Sequence, residues 1–454
     1  MSESPDGWTT TRLAEIVATR KGKKPDVLRQ DKAEGLTPYL DIQAIENNCI
    51  RRYADIESSR LGEKDDLFVV WDGARSGWVG LGQEGAIGST IMALESFAVE
   101  SRYLYYFIKS SFDYINSNTR GTGIPHVDPE IFGNLEVPLP PLNEQHRIVL
   151  KLEKLLGRVN AAQVRLATIP RILKQFRQSL LSGACSGRLT ADWREENQNA
   201  KPVSLVIEST DPTNSALPSS WVAVRVGDVI NNLKYGTSQK CSFEKEGVPV
   251  LRIPNIGDGV IDTRDIKFAK LPQREFQQLA LSAGDILLIR SNGSVSLIGK
   301  SALVRESENG FAYAGYLIRL RPNRSYVVPE FLNLALLSHD VRLQIEIPAR
   351  STSGVNNVNS TEVKTLKVGL PPLEEQQEIV RRVDALFKTA DALEARYRTA
   401  KAHVDKLTQS ILAKAFRGEL VPQDPNDEPA TLMLELINKK GRKAVRPKRR
   451  RAAG

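Results

Sequence analysis

Cysteine and histidine are scarce in this chain. Three cysteines (Cys49, Cys185, Cys241) and four histidines (His126, His146, His339, His403) are scattered over 454 residues. No C-x-x-C pair and no H-E-x-x-H helix occurs. That excludes a disulfide framework and a cysteine-based zinc site, and it fits a reducing cytoplasm. No apolar run approaches the roughly 18 residues that a membrane-spanning helix needs. The segment Met1 to Trp8 lacks the basic and apolar regions of a secretory signal. The expected location is therefore the cytoplasm, away from membranes. Catalytic signatures are missing as well. There is no G-x-S-x-G, no glycine-rich cofactor loop opening a βαβ unit, no Asn/Asp-Pro-Pro-Tyr/Phe segment and no acid/base pair. Gly299-Lys300-Ser301 ends like a phosphate-binding loop, but the first glycine of that motif would fall at Ser294. A strand, turn and strand are expected there instead. Glu362-Val363-Lys364 resembles the end of a nuclease motif, but no Pro-Asp partner supports it. No metal and no cofactor is expected in this chain.

Charge is present but localised. The formal net charge is +9, while the tail 439–454 alone carries nine cations and no acid. The remaining residues are therefore formally neutral, and the basic balance belongs to a disordered tail. That tail is either simply solvated or able to touch phosphates without sequence preference. The apolar content, 41%, is ample for two or more cores.

The chain is one pattern written twice. Residues 139–190 align without gaps on 370–421, with 18 identities in 52 positions. Leu139-Pro-Pro-Leu-Asn-Glu-Gln145 matches Leu370-Pro-Pro-Leu-Glu-Glu-Gln376, and Gly187 matches Gly418. Weaker echoes lie upstream: Pro5 to Trp8 with Pro218 to Trp221, and Asp66 to Val70 with Asp285 to Ile289. Each half is thus a divergent region followed by a similar one. The boundaries read 1–140, 141–190, a linker 191–217, then 218–370, 371–420 and a C-terminal segment 421–454.

The similar regions carry apolar residues in steps of four and three. The first ladder is Ile148, Leu152, Leu155, Val159, Ala162, Leu166, Ile169, Leu173, Phe176 and Leu180. The second is Ile379, Val383, Leu386, Ala390, Leu393, Tyr397, Ala400, Val404, Leu407 and Ile411. This is a heptad seam, and two matching seams in one chain predict that the helices pair with each other. Pro141 and Pro372 suit the helix starts, with Glu144-Gln145 and Glu375-Gln376 in the first turns. Gly187 and Gly418 suit the stops, and Pro170 should kink or split the first helix. From Ile148 to Leu180 is roughly 50 Å at about 1.5 Å per residue. Antiparallel pairing would give two globular ends on a two-helix rod with a pseudo-two-fold axis. The divergent regions read as α+β. Strand-like runs occur at Leu67–Trp71 and Ile286–Ile289, short helices at Arg102–Ser110 and Glu330–Ser338.

Two divergent domains, each closed by Leu-Pro-Pro-Leu-x-Glu-Gln and a long helix, resemble the specificity subunit of type I restriction–modification systems. Gly187-Arg-Leu-Thr-Ala-Asp-Trp-Arg194 and Gly418-Glu-Leu-Val-Pro-Gln-Asp-Pro425 look like that family's helix ends, and Val70-Trp-Asp-Gly-Ala-Arg-Ser-Gly77 like its target-recognition domains. The resemblance spans residues 5–438. It implies a non-catalytic subunit with two mixed α/β target-recognition domains joined by two long antiparallel coiled-coil helices. Each domain would read one half of an asymmetric, gapped site in double-stranded DNA. Two adenine-N6 modification subunits, and two restriction subunits where present, would be its partners, and S-adenosylmethionine, ATP and magnesium would belong to them. Base reading needs Arg, Lys, Asn or Gln in the major groove. The candidates in the first domain are Arg20, Lys21, Lys23, Lys24, Arg75 and Arg120. In the second they are Lys234, Lys240, Arg290, Asn292, Arg350, Asn356 and Asn357, with Tyr235 and Ser238 on the same surface. A stand-alone DNA-binding regulator and a coiled-coil scaffold remain as alternatives.

Overall fold

The computed structural model describes residues 5–97, 99–121, 123–203, 217–347 and 356–444, the last seven by backbone only. It divides into two compact units, Met1–Ala167 with Thr399–Gly454, and Thr168–Arg398.

The repeat extends to the sheets. The first unit holds a four-stranded antiparallel sheet in the order Val17–Lys21, Ile91–Ser96, Leu67–Val70, Val79–Leu81. The second unit has the same order with Ile230–Tyr235, Leu317–Pro322, Ile286–Ile289 and Ser301–Leu303. In both, the continuous apolar strand, Leu67–Val70 or Ile286–Ile289, is buried along its whole length, as such a run requires. A second sheet in each unit contains one parallel pair: Leu36–Leu40 with Gly85–Ile87, and Val248–Leu251 with Ala312–Tyr313. The short helices Ser101–Ser110 and Pro329–Leu337 lie where apolar spacing placed them. Gly299-Lys300-Ser301 is no nucleotide loop. Lys300 pairs with Asp258 at 2.8 Å, and the Ser301 hydroxyl donates to Asn333 at 2.9 Å.

Two helices of 44 residues, Leu142–Cys185 and Leu373–Phe416, complete both units. Within the first unit, Ile148 and Leu152 share a core with Leu412 and Ala415. Within the second, Leu180 and Ala184 share one with Ile379 and Val383, and Arg177 bonds Asp391 at 2.7 Å. Rising numbers on one helix meet falling numbers on the other, so the segments run antiparallel within each unit. Leu155, Leu166, Leu386, Val404 and Ile411 are half-buried, while Val159 and Leu173 are buried. Leu393 and Leu407 depart from the expected seam, being 49% and 43% exposed. A strict heptad advances 3.5 residues per turn and a straight helix 3.6, so the buried stripe drifts toward Leu412 and Ala415. Pro170 does not split its helix, which runs unbroken through it. Burial of Val159, Leu173 and Leu180 on either side offsets the lost hydrogen bond.

The repeated Glu-Gln pair is not a solvated first turn. Glu144, Gln145, Glu375 and Gln376 are all at most 1% exposed. In the second unit the Glu375 carboxylate accepts from the Trp221 indole at 3.0 Å, the Thr190 hydroxyl at 2.7 Å and the Arg194 guanidinium. Gln376 donates to Pro371 and Tyr326 carbonyls and accepts from the Val328 amide. In the first unit Glu144 accepts from Trp8 at 3.1 Å and Gln423 at 3.4 Å, and Gln145 binds the Pro140 carbonyl and the Glu100 amide. Each carboxylate therefore ties the start of one long helix to the opening turn of its unit and to the segment just past the end of the other helix. The glycines of that segment fit tightly. A Cβ on Gly187 (φ +78°) would lie 2.5 Å from Pro218 Cγ, and one on Gly418 (φ +74°) 2.4 Å from Pro5 Cγ.

Two expectations change. The stretch from residue 191 begins as a helix, Ala191–Glu196, because Arg194 is drawn to the buried Glu375; residues 204–216 lie outside the described ones. The tail is helical as far as Ala444, in a helix starting at Ala430. Burial of Ala430 and Ile437, with Met433 and Leu434 packed on the same core, carries the helix into the first cations. Residues from 445 onward lie outside the described ones.

The two closures differ in charge balance. Burial raises the Glu144 carboxyl from its ordinary range, against the bonds from Trp8 and Gln423. A raised carboxyl stabilises the fold at low pH, and that contribution is lost as pH rises through the raised value. Glu144→Gln should therefore cost within about 1 kcal/mol and gain on the native chain as pH rises. Glu375→Gln should cost about 3 kcal/mol, because Arg194 loses its buried counter-charge. Calorimetric unfolding of the full chain against pH checks both.

Candidate nucleic-acid interface

In the second unit the buried strand Ile286–Ile289 delivers Arg290 to the surface. Its guanidinium lies over the Tyr235 ring, 4.5 Å from the centroid. Its Nε is buried without a hydrogen-bond partner, and among the described residues no carboxylate faces it. Several other arginines of this unit are spent on carboxylates, including Arg194 on Glu375, Arg321 on Asp285 and Arg382 on Asp192. Tyr235 comes from the first strand of the sheet, and its hydroxyl accepts from the Ser360 amide at 2.8 Å. Tyr316, 63% exposed, adjoins through its carbonyl, which accepts from the Arg290 amide. The short ladder Ser291–Asn292 with Asn356–Asn357 closes the same edge. Asn357 is exposed. Asn356 is buried, with its amide on the Gly293 carbonyl at 3.0 Å, and Asn292 accepts from the Ser294 amide. Asn292 and Asn356 thus shape this edge. Strand alternation turns Lys234 away from Tyr235, onto Gln278 at 3.1 Å. Ser238 and Lys240 are exposed in the following loop. Arg350 lies outside the described residues.

In the first unit the equivalent sheet end carries different chemistry. Lys21 ends the strand Val17–Lys21 and pairs with Asp72 at 2.8 Å. The same carboxylate meets His126 Nδ1 at 2.7 Å. Lys23 and Lys24 follow, exposed. Arg20 faces the other way, onto Asp66 at 2.6 Å. Asp66 is buried, and burial raises its carboxyl despite the nearby Arg20. Arg20 is therefore a structural partner of a buried carboxylate. Arg75 is held by Glu46, and Arg120 by Asp128 with Glu130 at 3.3 Å. Glu46 also lines a groove of about 720 Å³ with Gln30, Gln43, Arg51 and Arg52. The structure thus brings Lys21, Lys23 and Lys24 to one edge of this unit and engages Arg20, Arg75 and Arg120 with carboxylates.

Sequence reasoning missed Asp72, His126, Arg51 and Gln43. Asp72 sits inside the segment 70–77 likened to target-recognition domains, but nothing in its spacing of 54 residues from His126 shows that the two touch. Among the described residues no group of His, Cys, Asp and Glu could hold a metal ion, and no helix is long and apolar enough to cross a membrane.

If Arg20 is structural, Arg20→Ala should lower stability by about 1–2 kcal/mol, discounted for its partial exposure. Lys23→Ala and Lys24→Ala should leave the melting temperature unchanged. Thermal unfolding of the three variants decides it.

A family model described as the type I restriction modification DNA specificity domain matches residues 5–170 and 218–401. The type I restriction enzyme EcoKI specificity subunit of Escherichia coli K12 is 32% identical, over 98% of both chains. The StySPI specificity subunit of Salmonella potsdam is 31% identical, over 92% of this chain and 90% of its own. Among solved structures, one from a study of complex assembly and conformational transition of the type I R-M system covers 92% of this chain and all of its own, at TM-score 0.66 and 23% identity. The crystal structure of the HsdS subunit from Thermoanaerobacter tengcongensis covers 92% and 98%, at TM-score 0.56 and 23% identity. These two carry the fold.

Proposed function

The chain belongs to the DNA specificity subunits of type I restriction–modification systems, and on that premise we propose that each of its two units reads one half of an asymmetric, gapped duplex site. It is the sequence-recognition component of such a complex and not a catalytic one. Two modification subunits with adenine-N6 specificity, and two restriction subunits in the complete nuclease, are the proposed partners. They would bring S-adenosylmethionine, ATP and magnesium.

The observation that carries the reading is Arg290. A guanidinium with a desolvated Nε, set by an aromatic face and lacking an anionic partner, is pre-organised for a bidentate acceptor. The O6/N7 edge of guanine in the major groove is such an acceptor. Lys21, Lys23 and Lys24 in the first unit, and Tyr235, Ser238, Lys240 and Asn357 in the second, are the proposed surrounding contacts. Unlike residues at equivalent sheet ends support unlike half-sites. A palindrome would need like ones.

The adenine-methylation map of host DNA, with the gene intact and deleted, tests this. A two-part motif separated by a fixed gap and lost on deletion is the expected result; an unchanged map in a strain that expresses the complex refutes it. Arg290→Ala should weaken binding to that motif by about 1–3 kcal/mol and relax one base of one half-site only. Duplex binding with single-base variants of the motif checks the position.

A further inference from the structure

The two sheet ends are equivalent in topology and different in chemistry. Where the second unit sets Arg290 over Tyr235, the first shares one carboxylate between two basic groups. Asp72 holds Lys21 Nζ at 2.8 Å through Oδ2 and His126 Nδ1 at 2.7 Å through Oδ1. The loop carrying His126 is fixed by its backbone. Arg120 and His126 exchange both amide bonds at 2.8 Å, the Val127 amide donates to the Trp71 carbonyl at 2.9 Å, and the Gly73 amide to the Pro125 carbonyl at 2.8 Å. The ring is thus positioned by its loop as well as by Asp72. Its side chain is 48% exposed, and Nε2 has no partner among the described residues.

Asp72 accepts from Nδ1–H, so the neutral ring carries its proton there and offers Nε2 as a bare acceptor. A second proton makes Nε2 a donor and adds one positive charge. Lys21 already balances Asp72, and nearby Arg120 is engaged by Asp128 and Glu130, so the added charge is not cancelled locally. The negative potential of a duplex favours that proton.

We propose that His126 is a DNA-contacting residue of the first unit, which takes up a proton on binding and donates from Nε2 to an acceptor on the duplex. Asp72 is a positioning residue, and Lys21 shares its carboxylate. The inference rests on the reading that this unit faces DNA. The acceptor is either the N7/O6 edge of guanine or a phosphate oxygen.

The test uses the full chain with the subunits that co-purify with it. The probe is a duplex carrying the gapped motif from the methylation map, and Kd is measured between about pH 6 and pH 8. The native chain should bind tighter as pH falls, by up to about tenfold per unit. His126→Asn, with an unchanged melting temperature, should flatten that dependence and weaken binding about tenfold at the acidic end. Lys21→Met, which leaves Asp72 to the histidine alone, should move the midpoint to higher pH. A loss confined to one base pair assigns the guanine edge, and an equal loss on all duplexes assigns phosphate. Native pH dependence and native base preference in His126→Asn would overturn the proposal while leaving the recognition function standing. A native chain with no preference for the motif would overturn both.

Discussion

A buried carboxylate at the start of each long helix is the constraint on which both units depend. Glu144 and Glu375 are out of water, so each must be met by donors inside the protein. The donors come from distant parts of the chain: Trp8 and Gln423 for one, Trp221, Thr190 and Arg194 for the other. Satisfying one carboxylate therefore fixes three things together. The opening turn of the unit, the start of one helix and the exit of the other are brought to one point. The neighbouring glutamine does the same for backbone groups, closing the Glu100 amide in one unit and the Val328 amide in the other. This is why Leu-Pro-Pro-Leu-x-Glu-Gln and the later glycine recur as a set. The glycines at 187 and 418 leave no room for a Cβ against Pro218 and Pro5.

The closures hold two sheets of the same strand order, and each sheet ends in a different set of side chains. The physical division of labour is visible in where charges are spent. Several arginines in the body of each unit are bound to carboxylates, among them Arg20, Arg75 and Arg120 in the first and Arg321 in the second. Two groups at the sheet ends are set differently. Arg290 has an aromatic face in place of an anion, and His126 shares its carboxylate with Lys21. Recognition by such groups draws on hydrogen bonds whose geometry is set before the ligand arrives, which lowers the ordering cost of binding. The common frame keeps the two sheet ends equivalent, and the side chains mounted on it make them unlike.

Much of this was legible in the sequence because the signals are local or repeated. The duplication, the two helices, the strands Leu67–Val70 and Ile286–Ile289, and the absence of catalytic motifs follow from periodicity and identity. Leu393 and Leu407 misled because the heptad template ignores the slow drift of a straight helix. The burial of Glu144 and Glu375 was not legible, because a carboxylate in a first turn is usually solvated.

What the sequence by itself determined is the plan: one module twice, with a long helix and an α+β body in each half. Only the tertiary structure decided which basic groups are available. Arg20 lies within the strand Val17–Lys21 and Arg290 directly after Ile286–Ile289, and no spacing rule tells which of them finds a carboxylate. Their difference is that Asp66, 46 residues away, reaches one and no carboxylate among the described residues reaches the other. Charge pairing acts through space over a few ångströms, whereas a sequence pattern reports only neighbours along the chain.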